Sequence, residues 1–275
     1  CVLTVLLALT TMALIMALIM ALKDRCRGCY RVDKGEFYYV IYDGLPSSII
    51  PAINASLLES KPKLLDRFNI SAMSPVVVRI WGNKEKFLAE QEATIGVRHP
   101  ESTGYVTFKQ GDKAGEMRLL NLVGETAKTA VHELAHLVTL EVNPSFANNP
   151  RWLWESLAIY ATEPRWERAQ FFNSHRNLFD AMAQELFEGR DTGSIYSIGY
   201  TIGEYIEATW GREALISLIQ SNGDFSVVTQ KSLAEVFSDW RQFVAARYFL
   251  QRSPSAAQKD KVLDWSFGEP SWGLH

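Results

Sequence analysis

Thr126-Ala-Lys-Thr-Ala-Val-His-Glu-Leu-Ala-His-Leu-Val-Thr-Leu140 is the stretch on which the fold turns. Val131, Leu134, Ala135 and Val138 recur at helical spacing and give it an apolar face. Within it stands His132-Glu133-Leu134-Ala135-His136, an H-E-x-x-H pattern. A step of about 100° per residue puts positions i and i+4 on one face, about one turn apart. Both imidazoles can then reach one ion at roughly 2.0–2.1 Å. Glu133 sits one step round, near a water on that ion without being a ligand. The chain has only five histidines, so a chance pair at this spacing is improbable. Two titratable rings beside a carboxylate, in a segment with few charges, need a reason to be there. A metal supplies one.

A zinc site with catalytic ability needs a third protein ligand and an open fourth position. Downstream runs Asn148-Asn-Pro-Arg-Trp-Leu-Trp-Glu-Ser-Leu-Ala-Ile-Tyr160. After a turn marked by Asn143-Pro144, Asn149 reads as an N-cap and Pro150 as the first position of a second helix. Glu155 then falls in its second turn, flanked by Trp154 and Leu157. A carboxylate in apolar surroundings is costly unless paired or bound to metal. The plainer reading is a surface glutamate on an amphipathic helix.

H-E-L-A-H, eighteen further residues, and Glu155 within P-R-W-L-W-E-S-L-A-I-Y together resemble the gluzincin metallopeptidases. More narrowly they are similar to the bacterial peptidase-MA-like proteins, whose second motif reads roughly P-x-W-L-x-E-G-x-A-x-Y. The resemblance implies His132, His136 and Glu155 as Zn2+ ligands and Glu133 as general base. Two positions depart from the pattern. Ser156 replaces a glycine, and Ile159 stands where some gluzincins carry an aspartate that orients a histidine ligand. Tyr196-Ser-Ile-Gly-Tyr200, with Glu204-Tyr-Ile206 and Trp210-Gly-Arg-Glu213, resembles a later helix of these peptidases. There a tyrosine three residues before a small residue donates to the oxyanion, which selects Tyr196 over Tyr200. Otherwise the two tyrosines form an aromatic stripe that packs their helix.

Upstream of the motif the chain reads as strands: 36–42, 76–81, 105–108 and 117–122 are rich in β-branched and aromatic residues. Helical pieces fall near 48–67 and 83–93. After 126 the pattern turns helical, over 126–141, 150–162, 166–188, 195–209, 212–220 and 230–250. The expected fold is α+β, a small mixed sheet packed on the HExxH helix and followed by a helical subdomain. The resemblance implies the zincin-like form of it, with the metal in a cleft between sheet and helices. Tyr105–Phe108 is the candidate edge strand to pair with an extended substrate.

Residues 1–22 carry no charge and are long enough to span a bilayer. No small-residue cleavage pattern precedes Lys23, which favours an uncleaved anchor over a signal segment. The expected organisation is an anchor or signal segment at 1–22, a juxtamembrane linker at 23–35, one metallopeptidase domain over 36–250 and a tail at 251–275. Lys23, Arg25, Arg27 and Arg31 favour a cytoplasmic flank, whereas the resemblance implies a catalytic domain outside the cytoplasm. Cys26 and Cys29 have no second pair to complete a zinc ribbon. They form a disulfide, carry an acyl chain, or do nothing special. Asn54 and Asn69 lie in glycosylation sequons, which matter only on a eukaryotic secretory route.

Apolar residues make up 47% of the 275, ample for one packed core. A net charge of −3, without a dense basic run beyond the juxtamembrane segment, excludes nucleic acid as a partner. The expected function is a membrane-anchored zinc peptidase acting on a peptide or protein substrate. No carboxylate signature for holding a free amine precedes the motif. Two alternatives stand beside it: an inactive zinc-binding scaffold that kept the fold, and a tethered structural domain with fortuitous histidines.

Overall fold

The computed structural model describes residues 29–107, 115–147, 150–163, 176–190 and 193–249. The expected span at 1–22, Cys26, Phe108, Asn149, residues 166–175 of an expected helix and the tail at 251–275 lie outside them. Among the described residues no helix is long and apolar enough to cross a membrane.

Alternation builds the sheet. In β3 (Val76–Trp81) Val76, Val78 and Ile80 are buried on one face, while Val77 and Arg79 turn to the other. β3 pairs in parallel with β2 (Phe37–Ile41) and with β5 (Glu116–Leu120). β4 (Gly104–Thr107) runs antiparallel to β5 at one edge, and β1 (Tyr30–Asp33) antiparallel to β2 at the other. β1 falls inside the stretch expected to be a linker. Its side chains are mostly exposed, so backbone pairing with β2 makes it a strand, and no hydrophobic alternation announces it.

Helices cover both faces. α1 (Ile50–Arg67) carries the chain from β2 to β3, and α2 (Lys84–Ile95) follows β3. Asn83 caps α2 by accepting from the Lys86 amide at 3.0 Å. Phe87 and Leu88 of α2 pack on Trp81, Tyr105 and Leu120. The opposite face holds the main core, where α1 and α3 (Thr126–Val142) meet the inward residues of β2, β3 and β5.

The remaining elements are helical. They are α4 (Arg151–Thr162), α5 (Arg176–Phe187), α6 (Ser194–Trp210), α7 (Arg212–Gln220), α8 (Phe225–Thr229) and α9 (Leu233–Val244). A π-helical turn over Ala245–Phe249 follows. The order of sheet, HExxH helix and helical layer makes the protein α+β. Two local expectations need correction. Pro150 is the N-cap of α4 in an extended conformation, one position before the helix begins. The helix expected over 230–250 starts at Leu233, because Gln230 adopts positive φ and Ser232 with Glu235 forms a capping box.

α4 and α6 approach closely where glycines of α6 face α4. A Cβ on Gly203 would lie 2.5 Å from the Cβ of Tyr160, and one on Gly199 would lie 3.1 Å from Ser156 Oγ. Ser156 is fully buried, and its hydroxyl donates to the Trp152 carbonyl at 2.6 Å. Ser156 is therefore accommodated by a glycine on the neighbouring helix.

Candidate metal centre

α3 packs against β4 and β5, α1 and α4, so its middle turns are enclosed. His132 and His136 share the side of α3 that meets α4, and Glu155 comes from the second turn of α4. The two Nε2 atoms are 3.1 Å apart. Glu155 Oε2 lies 3.2 Å from His132 Nε2 and 3.6 Å from His136 Nε2. Tetrahedral ligands at about 2.0–2.1 Å from an ion would be about 3.3–3.4 Å from one another. The triangle brackets that spacing. Two imidazole nitrogens and one carboxylate oxygen converge there, a donor set that could hold a metal ion and is of the kind zinc takes.

Packing aims the donors. The His136 ring stacks on Trp154, with centroids 4.2 Å apart and planes 7° from parallel, and Trp154 in turn leans on Phe146. This holds the plane of the His136 ring. His136 Nδ1 is buried and has no hydrogen-bond partner among the described residues. Ile159 is buried and offers no polar atom to either histidine. One turn further, Glu163 lies 3.9 Å from Lys128, which precedes His132 by one turn on α3.

The electrostatics follow from burial and pairing. Burial alone would raise the Glu155 carboxyl, but His136 and His132 outweigh it and hold it well below the usual carboxylate range. Burial pushes His136 down to about 4, which favours the neutral ring that a metal requires. Burial would lower His132 as well, yet Glu155, Glu133 and Glu163 raise it overall. Glu133 is a different kind of acid. Burial pushes it up to about 8, His132 opposes the shift and Glu155 adds to it.

Glu133 reaches β4. A Cβ on Gly104 would lie 2.6 Å from Glu133 Oε1, so the edge strand approaches the carboxylate as closely as backbone permits. The strand expected over Tyr105–Phe108 is observed as Gly104–Thr107, and its ladder partner among the described strands is β5.

The two tyrosines separate. Tyr200 is buried and meets the Tyr160 ring edge-on at 5.2 Å. Tyr196 is 44% exposed, and its hydroxyl accepts from Arg151 Nη2 at 3.3 Å. Arg151 Nη1 is 3.7 Å from Glu155 Oε1. Tyr196 thus connects to the triangle through Arg151, a residue to which the sequence alone assigns no role. The available signal is its spacing: Arg151 stands four residues before Glu155, on the same face of α4. No protein-family model matches the chain, and no curated protein is significantly similar to it.

Proposed function

We propose that this chain is a zinc-dependent peptidase of the gluzincin type, with His132, His136 and Glu155 as ligands and Glu133 as general base. The observation that carries the reading is the donor triangle, with sides of 3.1, 3.2 and 3.6 Å, assembled from two helices. The zincin-like arrangement of the fold belongs to the same proposal. It is supported by the sheet edge that meets the HExxH helix at Gly104.

When bound, zinc supplies Lewis-acid polarisation of the scissile carbonyl and lowers the pKa of the attacking water. The chain's own residues do the rest. Glu133 accepts the proton of that water and delivers it to the leaving amine. A carboxyl raised by burial toward neutrality suits both transfers. Tyr196 donates its hydroxyl proton in a hydrogen bond to the developing oxyanion. β4, whose ladder partner among the described strands is β5, offers its other edge to an extended peptide, which sets the scissile bond near Glu133. In this reading the apolar segment at 1–22 anchors the protein, and the catalytic domain lies outside the cytoplasm.

The test is metal analysis of the full chain, together with digestion of a broad peptide library. One zinc per chain and hydrolysis that a chelator abolishes are expected. Stoichiometric zinc in a His132→Ala/His136→Ala double variant would overturn the ligand assignment. Zinc without turnover on any peptide would leave the inactive scaffold.

A further inference from the structure

Arg151 has none of the roles described above, yet it touches two of the residues that do. It opens α4, one turn before Glu155 on the same face. The two oxygens of Glu155 divide their work: Oε2 faces both histidines, and Oε1 faces Arg151 Nη1 at 3.7 Å. The other terminal nitrogen, Nη2, donates to the Tyr196 hydroxyl at 3.3 Å. Glu155 is nearly enclosed, with 7% of its side chain exposed, whereas 37% of Arg151 is open. So partly exposed a pair adds little to folding stability. What it can add is orientation.

We propose that Arg151 is a positioning residue, whose guanidinium holds Oε1 of Glu155 so that Oε2 alone enters the ligand triangle and, with its other arm, holds the Tyr196 hydroxyl beside that triangle. The proposal rests on the metallopeptidase reading. A carboxylate has two equivalent oxygens and rotates unless one of them is held. A guanidinium presents its donors in a fixed planar fork, so two acceptors on different helices are kept at a set spacing. An ammonium is a point charge on a flexible stem. Lysine at 151 can still attract Glu155 but cannot fix Tyr196 at the same time.

The experiment compares the full chain carrying Arg151→Gln, Arg151→Lys, Tyr196→Phe and the Arg151→Lys/Tyr196→Phe pair. Zinc affinity is read by chelator competition, and ligand geometry by the visible absorption of the Co2+-loaded protein. Arg151→Gln should weaken zinc binding about tenfold or more, the usual effect of losing a group that orients a ligand, and should change the cobalt spectrum. Arg151→Lys should return the affinity close to that of the parent. Its kcat should nevertheless fall as in Tyr196→Phe, with KM little changed, and the pair should fall no further than either single change.

Parent affinity and parent spectrum in Arg151→Gln would overturn the proposal, as would rate losses that multiply in the pair. If Arg151→Gln does not fold, the cobalt spectrum and kcat of Arg151→Lys decide the same question. A parent chain that binds no zinc removes the metallopeptidase reading and this proposal together. A parent that binds zinc but cleaves nothing removes only the peptidase, and the affinity and cobalt measurements still decide whether Arg151 holds Glu155.

Discussion

Glu133, His136 and Glu155 are buried and His132 half-buried, but the two carboxyls are enclosed at different electrical expense. Glu155 shares its charge with two imidazoles, whereas Glu133 is pushed up to about 8 chiefly by burial. A carboxyl raised in this way keeps a proton that the unfolded chain has already released. The metal-free fold should therefore lose stability as pH rises from the ordinary value of 4.5 toward 8. Glu133→Gln cannot ionise, so melting curves of the metal-free protein should show its advantage over the parent growing across that window. An advantage that is constant with pH would contradict the assignment. The same substitution should keep zinc and lose nearly all hydrolysis. Tyr196→Phe should lower kcat about 10²–10³-fold with little change in KM, the loss expected for one oxyanion donor. Tyr200→Phe, one turn along the same helix, is the matched control. A rate loss in Tyr200→Phe alone would place the register wrong by one turn.

Elements were legible in the sequence where a periodic pattern and burial coincide. β3 agrees with its expected limits to the residue, and α3 and α7 agree within one position, because apolar spacing and packing demand the same geometry there. β1 escaped because its only structural asset is a backbone ladder. Gln230 stops a helix by conformation rather than composition, and no periodicity reports that. That His132, His136 and Glu155 come together was legible from spacing within α3 and from the motif in α4. The contacts of Arg151 were not, since Tyr196 lies 45 residues away on another helix. Gly104 and Gly203 also gain meaning only from neighbours distant in sequence. Gly203→Ala would drive a methyl into Tyr160 and should destabilise the fold by about 1–3 kcal/mol, read by denaturant unfolding. Gly104→Ala meets the flexible end of Glu133 as well as Thr129. It should lower turnover far more than stability, because the displaced group is the proposed general base. Equal activity in that variant would separate β4 from the chemistry.

At the scale of the molecule, the ion would join two helices at the point where His132, His136 and Glu155 converge. His132 and His136 come from the helix that lies on the sheet, and Glu155 from the helix that docks on α6. Binding to the folded state but not to the unfolded chain adds RT ln(1 + [L]/Kd), about 2.7 kcal/mol at a hundredfold excess over Kd. For a domain of this size each kcal/mol moves the melting temperature by about 2–4 °C, so zinc should raise it by about 5–10 °C. The shift should keep growing with zinc concentration, which a single structural contact would not do. His132→Ala/His136→Ala should abolish the shift. The double variant should also melt below the metal-free parent, because Glu155 would be left as a buried carboxylate with neither imidazole to offset it. Adding Glu155→Gln to that variant removes the stranded charge and should recover part of the loss, while zinc still has no effect. Differential scanning calorimetry over a zinc titration reads all of these quantities. A zinc-dependent rise that survives in the triple variant would show that the stabilising metal sits elsewhere on the chain.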